Sequence, residues 1–315
     1  MHNDTSPTGV LLMAYGTPET LDDVEPYYTH IRGGRPPAPE SLENLRERYR
    51  MLGGRTPLLD ITRDVSDKLQ RRLDADAPGR YRVYIGMKHW HPFIGEVLPH
   101  MAADGIRTAL GVVLAPHYSR MSVGSYRKYA DQALERLAEP LDIQFVESWQ
   151  AHPMFRQLIA DRIAEGLAQF PAEARGEVKV LFSAHSLPER ILSWDDPYPR
   201  ELHESAAGIA ELLGLNDWRF AYQSAGMTGE PWLGPDILDY LDDLAAEGVR
   251  HVLSVPFGFV AEHLEVLWDI DNEAQAKAAE LGMTLRRTRM PNADPEFIEV
   301  IAAIVTEHRP PTTDH

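Results

Sequence analysis

Short apolar runs alternate with longer amphipathic stretches along the whole chain. Residues 10–14, 81–85, 109–114 and 143–146 predict strands in the first half, and 178–182, 219–222 and 251–255 in the second. Between them, 125–137, 153–169 and 236–247 place apolar residues at helical spacing. The strands are apolar at successive positions rather than at every second one, as expected of parallel strands buried on both faces. Strand, helix, strand in that order predicts α/β architecture with doubly wound parallel sheets.

The pattern also repeats. Val10-Leu11-Leu12-Met13-Ala14-Tyr15-Gly16-Thr17-Pro18-Glu19 lies over Val180-Leu181-Phe182-Ser183-Ala184-His185-Ser186-Leu187-Pro188-Glu189, sharing Val, Leu, Ala, Pro and Glu. Tyr81-Arg82-Val83 matches Trp218-Arg219-Phe220, and Gly105-Ile106-Arg107 leading to Leu110 matches Gly248-Val249-Arg250 leading to Leu253. Three matches in one order predict two similar halves: a first domain at 1–150 and a second at 151–290. In 291–315, a helix at 293–308 packs back on either domain and a disordered tail follows; the first eight residues are expected to be disordered too. Ligands of doubly wound sheets bind beyond the carboxyl ends of the strands. The repeat puts Tyr15 and His185 at equivalent points just past a strand end. Two such halves facing each other would carry both side chains into the cleft between them.

Composition narrows the chemistry. The 315 residues are 43% hydrophobic, enough for a sizeable core. No apolar run approaches the ~18 residues of a membrane span, and Met1-His2-Asn3-Asp4-Thr5 does not begin a secretory signal, so a cytoplasmic protein is expected. Lys and Arg number 31 against 48 Asp and Glu, giving −17. That field repels nucleic acid and suits either solubility or the approach of a dication. There is no cysteine, which excludes disulfides, thiolate metal sites and cysteine nucleophiles. No Gly-x-Gly-x-x-Gly, P-loop or Gly-x-Ser-x-Gly motif is present, so dinucleotide, phosphoryl-transfer and α/β-hydrolase chemistry are unsupported.

The sharpest local signal is Gly258-Phe259-Val260-Ala261-Glu262-His263-Leu264-Glu265-Val266-Leu267-Trp268-Asp269, continuing to Glu273. It follows a strand and opens a helix. Glu265, Asp269 and Glu273 at i, i+4, i+8 stack on one α-helical face, where like charges repel. A hydrated divalent cation is one compensation; a solvated acidic face near a helix N-terminus is the other. His185, in Ser183-Ala184-His185-Ser186-Leu187-Pro188, is either a structural histidine or, placed after an apolar strand, an imidazole that can take a proton near neutral pH or ligate iron. His89-Trp90-His91 makes a weaker pair, structural or peripheral. Arg32, Arg35, Arg46, Arg48, Arg50 and Arg55 crowd one stretch of an acidic chain. Arg46 and Arg50 read as a solvated helix face, and Arg32, beside the loop, either as a carboxylate ligand or as part of the same solvated surface.

At the residues around His185 and Glu265 the chain resembles the ferrochelatases. Met13-Ala14-Tyr15-Gly16-Thr17-Pro18, Tyr27-Tyr28-Thr29-His30-Ile31-Arg32, Leu114-Ala115-Pro116-His117-Tyr118-Ser119, Pro231-Trp232-Leu233-Gly234-Pro235-Asp236 and Met290-Pro291-Asn292-Ala293 carry the same resemblance, in order, over about residues 9 to 305. It implies two Rossmann-like domains of the class II chelatase type and insertion of Fe²⁺ into a porphyrin. The short bacterial branch, which makes coproheme from coproporphyrin III, is favoured, with protoporphyrin IX as the other substrate.

By that resemblance His185 faces the porphyrin and accepts a pyrrole proton or helps hold iron, with Glu265 beside it. Asp269 and Glu273 extend an acidic path for hydrated Fe²⁺. Tyr15 ligates iron from the opposite side, and Arg32, Arg48, Thr56 and Tyr126 bind propionates. Relatives often have a second Arg after Arg32, where this chain has Gly33. Iron is a substrate, no other cofactor is implied, and an iron–sulfur cluster would lack its cysteines. A monomer, with transient contact to neighbouring haem-pathway enzymes, is expected. Two other readings fit the residues: a cobalt or nickel tetrapyrrole chelatase, and a non-catalytic haem or metal carrier.

Overall fold

The computed structural model describes residues 6–226 and 229–308. They form two α/β units. The first takes the chain up to Ala115, Ser122–Trp149 and the chain from Asn292; the second takes Pro116–Met121 and Gln150–Pro291. The closing helix therefore belongs to the first unit, and a six-residue segment of the first half belongs to the second.

In the first unit, strand β1 (Thr8–Ala14) is central because its residues are apolar on both faces. Val10, Leu11, Leu12 and Met13 have no exposed surface. It pairs in parallel with β2 (Tyr81–Met87) and β3 (Thr108–Val113), and β4 (Asp142–Val146) extends the edge, giving the order β2-β1-β3-β4. Helices α1 (Val24–Ile31), α2 (Pro39–Met51), α3 (Leu58–Asp76), α4 (Ile94–Ala103) and α5 (Val123–Leu134) connect the strands. On α3, Leu58, Thr62, Val65, Leu69 and Leu73 recur at three- and four-residue spacing and are buried. Each such leucine stabilises the fold by roughly 1.5–3 kcal/mol. Thr8 pairs with Tyr81 and Arg80, so order begins before the ninth residue; a paired edge outweighs the polar composition of the terminus. Residues 1–5 and 309–315, expected to be disordered, lie outside the described residues.

The second unit repeats the plan. Helix α6 (Pro153–Ala168) leads to β5 (Lys179–His185), followed by α7 (Tyr198–Leu213), β6 (Trp218–Gln223), α8 (Ile237–Ala246) and β7 (His251–Val255). A helical stretch from Leu264, ending in α9 (Gln275–Glu280), precedes β8 (Thr284–Arg287), and the sheet order is β6-β5-β7-β8, all parallel. Register repeats as well. Val10 faces Leu110, and the equivalent Val180 faces the equivalent Leu253. So does helix termination: Gly105 (φ 83°) and Gly248 (φ 86°) end α4 and α8 in the left-handed conformation that a side chain rarely adopts.

Strand β8 was not expected from its sequence. Thr284-Leu285-Arg286-Arg287 buries only Leu285, so it lacks an apolar run. Its place opposite β4 in the repeat was the available signal. Helix α10 (Pro295–Glu307) packs on α3, where Arg72 Nε donates to Glu299 at 2.6 Å. Among the described residues no helix is long and apolar enough to cross a membrane.

Candidate active site

Strand β5 delivers His185 at its carboxyl end, and the loop after β7 comes to meet it. That approach needs Gly258, because a Cβ there would lie 2.6 Å from the Ala184 Cβ. The loop then places Phe259 beside the His185 ring, at 6.5 Å between centroids, and Glu265 at the start of the following helix.

His185 Nε2 lies 3.4 Å from Glu265 Oε1. The other carboxylate oxygen, Oε2, lies 3.4 Å from His263 Nε2. His185 Nδ1 is bonded to the Ser186 carbonyl, and the Tyr198 hydroxyl donates to the His185 carbonyl at 3.0 Å. Burial opposes charging the imidazole, but Glu265, the Ser186 carbonyl and Asp269 outweigh it and push its pKa up to about 9. Burial likewise favours a neutral Glu265, yet His185 and His263 hold its pKa well below the usual carboxylate range. The resting pair is imidazolium and carboxylate, each about a third exposed (30% and 33%) and so still open to a ligand.

The acidic helix differs from expectation. Residues Val266–Ala274 form a π-helix, not an α-helix. Its bonding reaches five residues: the Gln275 amide donates to the Ile270 carbonyl. The Trp268 indole donates to Glu273 Oε1 at 2.7 Å, which is the same five-residue stacking seen in side chains. Hydrophobic and charge spacing alone do not distinguish the two helix types over two turns. Asp269 is 6% exposed and accepts the Ser224 hydroxyl; Ser224 is held at φ 63°, a conformation unusual for a residue with a side chain. Among the described residues no three His, Asp or Glu side chains converge closely enough to hold a metal ion. Of the residues expected to meet metal, the structure brings together His185 and Glu265, with Asp269 near enough to act on the His185 charge.

The remaining expected residues lie in the first unit. Tyr15 follows β1, is 38% exposed, and packs against His89 at 4.6 Å between ring centroids. Lys88 Nζ sits 5.4 Å from the Tyr15 ring and 5.1 Å from that of Tyr126. Burial pulls the pKa of Lys88 down to about 8 and that of His89 to about 3, where Lys88 and His30 add to the effect. His89 is thus a neutral, buried ring sharing a hydrogen bond with His30 at 3.0 Å. Arg32 is exposed over the Tyr28 ring and Arg48 is half-buried. Arg46 and Arg50 pair with Glu25, Glu43 and Glu47 on the surface, as a solvated face should. Thr56 is 4% exposed, and its hydroxyl is bonded to Thr17 at 2.7 Å, supporting the turn after β1.

Sequence reasoning missed His263, Tyr198, Ser224 and Lys88. His263 stood two residues before Glu265 and Lys88 beside His89, so adjacency was their signal. Tyr198 and Ser224 come from distant segments, and nothing in the linear pattern marks them.

Comparison with known proteins identifies the family. The ferrochelatase family model matches residues 7–309. A ferrochelatase of Herpetosiphon aurantiacus is 58% identical over 299 residues, covering 95% of this chain and 98% of that one. The coproporphyrin III ferrochelatase of Bacillus subtilis is 45% identical, covering 94% and 96%. Among solved structures, the sirohydrochlorin chelatase SirB of Bacillus subtilis subspecies spizizenii, in complex with cobalt, shares the fold at a TM-score of 0.55 and 11% identity, covering 96% and 94%. With a family match over nearly its whole length and these relatives, the chain belongs to the ferrochelatase family.

Proposed function

We propose that this ferrochelatase inserts Fe²⁺ into coproporphyrin III, giving coproheme, with His185 and Glu265 accepting the two pyrrole protons. The observation that carries the site assignment is the His185–Glu265 pair, 3.4 Å apart at a strand end. Choice of porphyrin is supported by relatives at 44–45% identity that are named coproporphyrin III ferrochelatases. Four propionates also ask for more cations than two, and the Arg32–Arg55 stretch is rich in them.

The chemistry is a balanced exchange: one Fe²⁺ replaces two N–H protons. In the resting site His185 holds a proton, so it is not yet a base. A dication nearby disfavours the imidazolium. Metal handled by Asp269 and Glu273 would therefore discharge His185 as it arrives, leaving both members of the pair free to take pyrrole protons. Holding the macrocycle out of plane presents its nitrogen lone pairs, so binding at the ring periphery favours the transition state.

Roles for Tyr15, Arg32, Arg48, Thr56 and Tyr126 follow from the family resemblance and belong to the same proposal, as do a cytoplasmic location and passing contact with enzymes of the pathway. The test is anaerobic Fe²⁺ insertion followed by absorbance, with coproporphyrin III and protoporphyrin IX in parallel. Faster turnover of coproporphyrin III is expected. Faster turnover of protoporphyrin IX would overturn the substrate choice, and tight porphyrin binding without insertion would favour a carrier.

A further inference from the structure

We propose that Arg287 is a positioning residue for metal handling: from the far side of the π-helix it fixes the register that aims Glu265, Asp269 and Glu273. The proposal rests on the reading that those carboxylates handle the iron.

The far side of the helix is built as deliberately as the near one. Asp271, two residues past Asp269, turns away from it, since i and i+2 do not share a helix face. Arg287 takes Asp271 with a two-pronged grip: Nε to Oδ1 at 2.7 Å and Nη2 to Oδ2 at 2.8 Å. The same Nη2 reaches Glu262 Oε1 at 3.4 Å, on the loop that leads into the helix. The arginine side chain is only 12% exposed, so this is not a loose surface pair. Arg287 ends β8 and pairs with Ser254 of β7, whose neighbour β5 carries His185. Gln275 adds a second tie, donating to the Leu285 carbonyl of β8 at 3.2 Å. One rigid sheet thus holds both His185 and the back of the acidic helix.

Such a clamp has work to do because the helix is of the wider type. A π-helix of nine residues is long for a geometry that usually occurs as a single turn. The same residues can bond i→i+4. That change would rotate Asp271 out of the guanidinium fork and carry Asp269 and Glu273 round with it. Planar bidentate geometry is specific to Arg, so Lys cannot replace it fully. Arg287 also lines a polar cavity of about 320 Å³, which leaves water access for a substituted side chain.

The experiment compares Arg287→Lys, Arg287→Met, Asp271→Asn and the exchanged pair Asp271→Arg/Arg287→Asp with the unaltered chain. Two quantities are read: hydrogen exchange of the 266–274 amides without metal or porphyrin, and separate KM values for Fe²⁺ and porphyrin. Arg287→Met and Asp271→Asn should exchange faster at 266–274 and raise the KM for Fe²⁺ about ten-fold, with the porphyrin KM little changed. Arg287→Lys should fall between, and the exchanged pair should recover much of the loss. Unaltered exchange at 266–274 in Arg287→Met overturns the clamp. Faster exchange with no selective change in the KM for Fe²⁺ overturns the positioning role and leaves Arg287 merely structural. Failure of the underlying reading is distinguishable, because Asp269→Ala would then leave the KM for Fe²⁺ unchanged even though the 266–274 amides of Arg287→Met exchange faster.

Discussion

The two units share one scaffold and differ in what they hang on it. Both carry a ring directly after an alanine at the carboxyl end of the central strand, Tyr15 after Ala14 in one and His185 after Ala184 in the other. Both place an aromatic or imidazole ring beside it from the loop after the next strand: His89 at 4.6 Å from Tyr15, Trp232 at 6.4 Å from His185. Both tie that loop back to the sheet, with the Met87 amide donating to the Pro92 carbonyl and the Tyr222 amide to that of Pro235. The third loop separates them. After β7 the chain turns into the acidic π-helix; after β3 the segment Pro116–Met121 leaves the first unit altogether. There the second unit holds it by carboxylates, Asp196 accepting from the Ser119 hydroxyl and the Arg120 amide, and Glu201 from the Tyr118 amide.

The electrostatics differ with the segments that surround each ring. Around Tyr15 the titratable groups are Lys88, His89 and His30, each held toward its neutral form by burial. Around His185 they are Glu265, His263 and Asp269, and the imidazole is driven to its charged form. A duplicated fold fixes where a side chain emerges, and the neighbouring loop fixes what that side chain can do.

Alanine at the two strand-end positions should therefore have unequal effects. His185→Ala is expected to cut insertion by about 10³-fold or more with native circular dichroism; near-normal turnover would remove His185 from the chemistry. Next comes Asp269→Ala, for which the KM for Fe²⁺ should rise about ten-fold while porphyrin affinity holds. Loss of porphyrin binding instead would mean that Asp269 faces the ring. Tyr15→Phe, which keeps the ring and its contact with His89, should lower turnover by less than about ten-fold. A loss matching that of His185→Ala would make the units chemically equal and break the comparison. The smallest effect is on stability alone. Gly16 sits at φ 95° with a Cβ position 2.8 Å from the Trp90 amide nitrogen. Gly16→Ser, which copies the equivalent Ser186, should cost about 1–3 kcal/mol in thermal or denaturant unfolding. An unchanged midpoint would show that this turn tolerates the sequence of its counterpart.

Much of this was readable in advance, for reasons that particular residues make plain. Apolar runs such as Val10-Leu11-Leu12-Met13 are buried on both faces and signal central parallel strands directly. The repeat held because equivalent residues occupy equivalent register positions. Edge strand β8 was hidden because one buried leucine between polar residues carries no periodic signal. The helix type was hidden for a different reason: α and π windings both keep Glu265, Asp269 and Glu273 roughly together, and backbone bonding tells them apart. His185 and Glu265 stood out by their strand-exit and helix-entry positions. Tyr198, which holds the His185 carbonyl, and Ser224, which holds Asp269, are contributed by distant segments and needed the fold.

The pairing of His185 with Glu265 is the centre of the account, and pH reads it directly. With a pKa near 9, His185 is protonated through neutral pH, and its pairing stabilises the fold fully below the ordinary value of 6.5 and fades as pH rises through about 9. If His185 accepts a pyrrole proton, insertion at sub-saturating Fe²⁺, where the metal has not yet discharged the imidazolium, runs the other way and should climb with pH toward about 9. The decisive measurement is the pH profile of anaerobic Fe²⁺ insertion for the unaltered chain and for Glu265→Gln. Removing the carboxylate takes away what holds the proton on His185, so the variant should be slower overall by about 10²-fold, with its acid limb displaced to lower pH. The same acid limb in both proteins would contradict the pairing and its role.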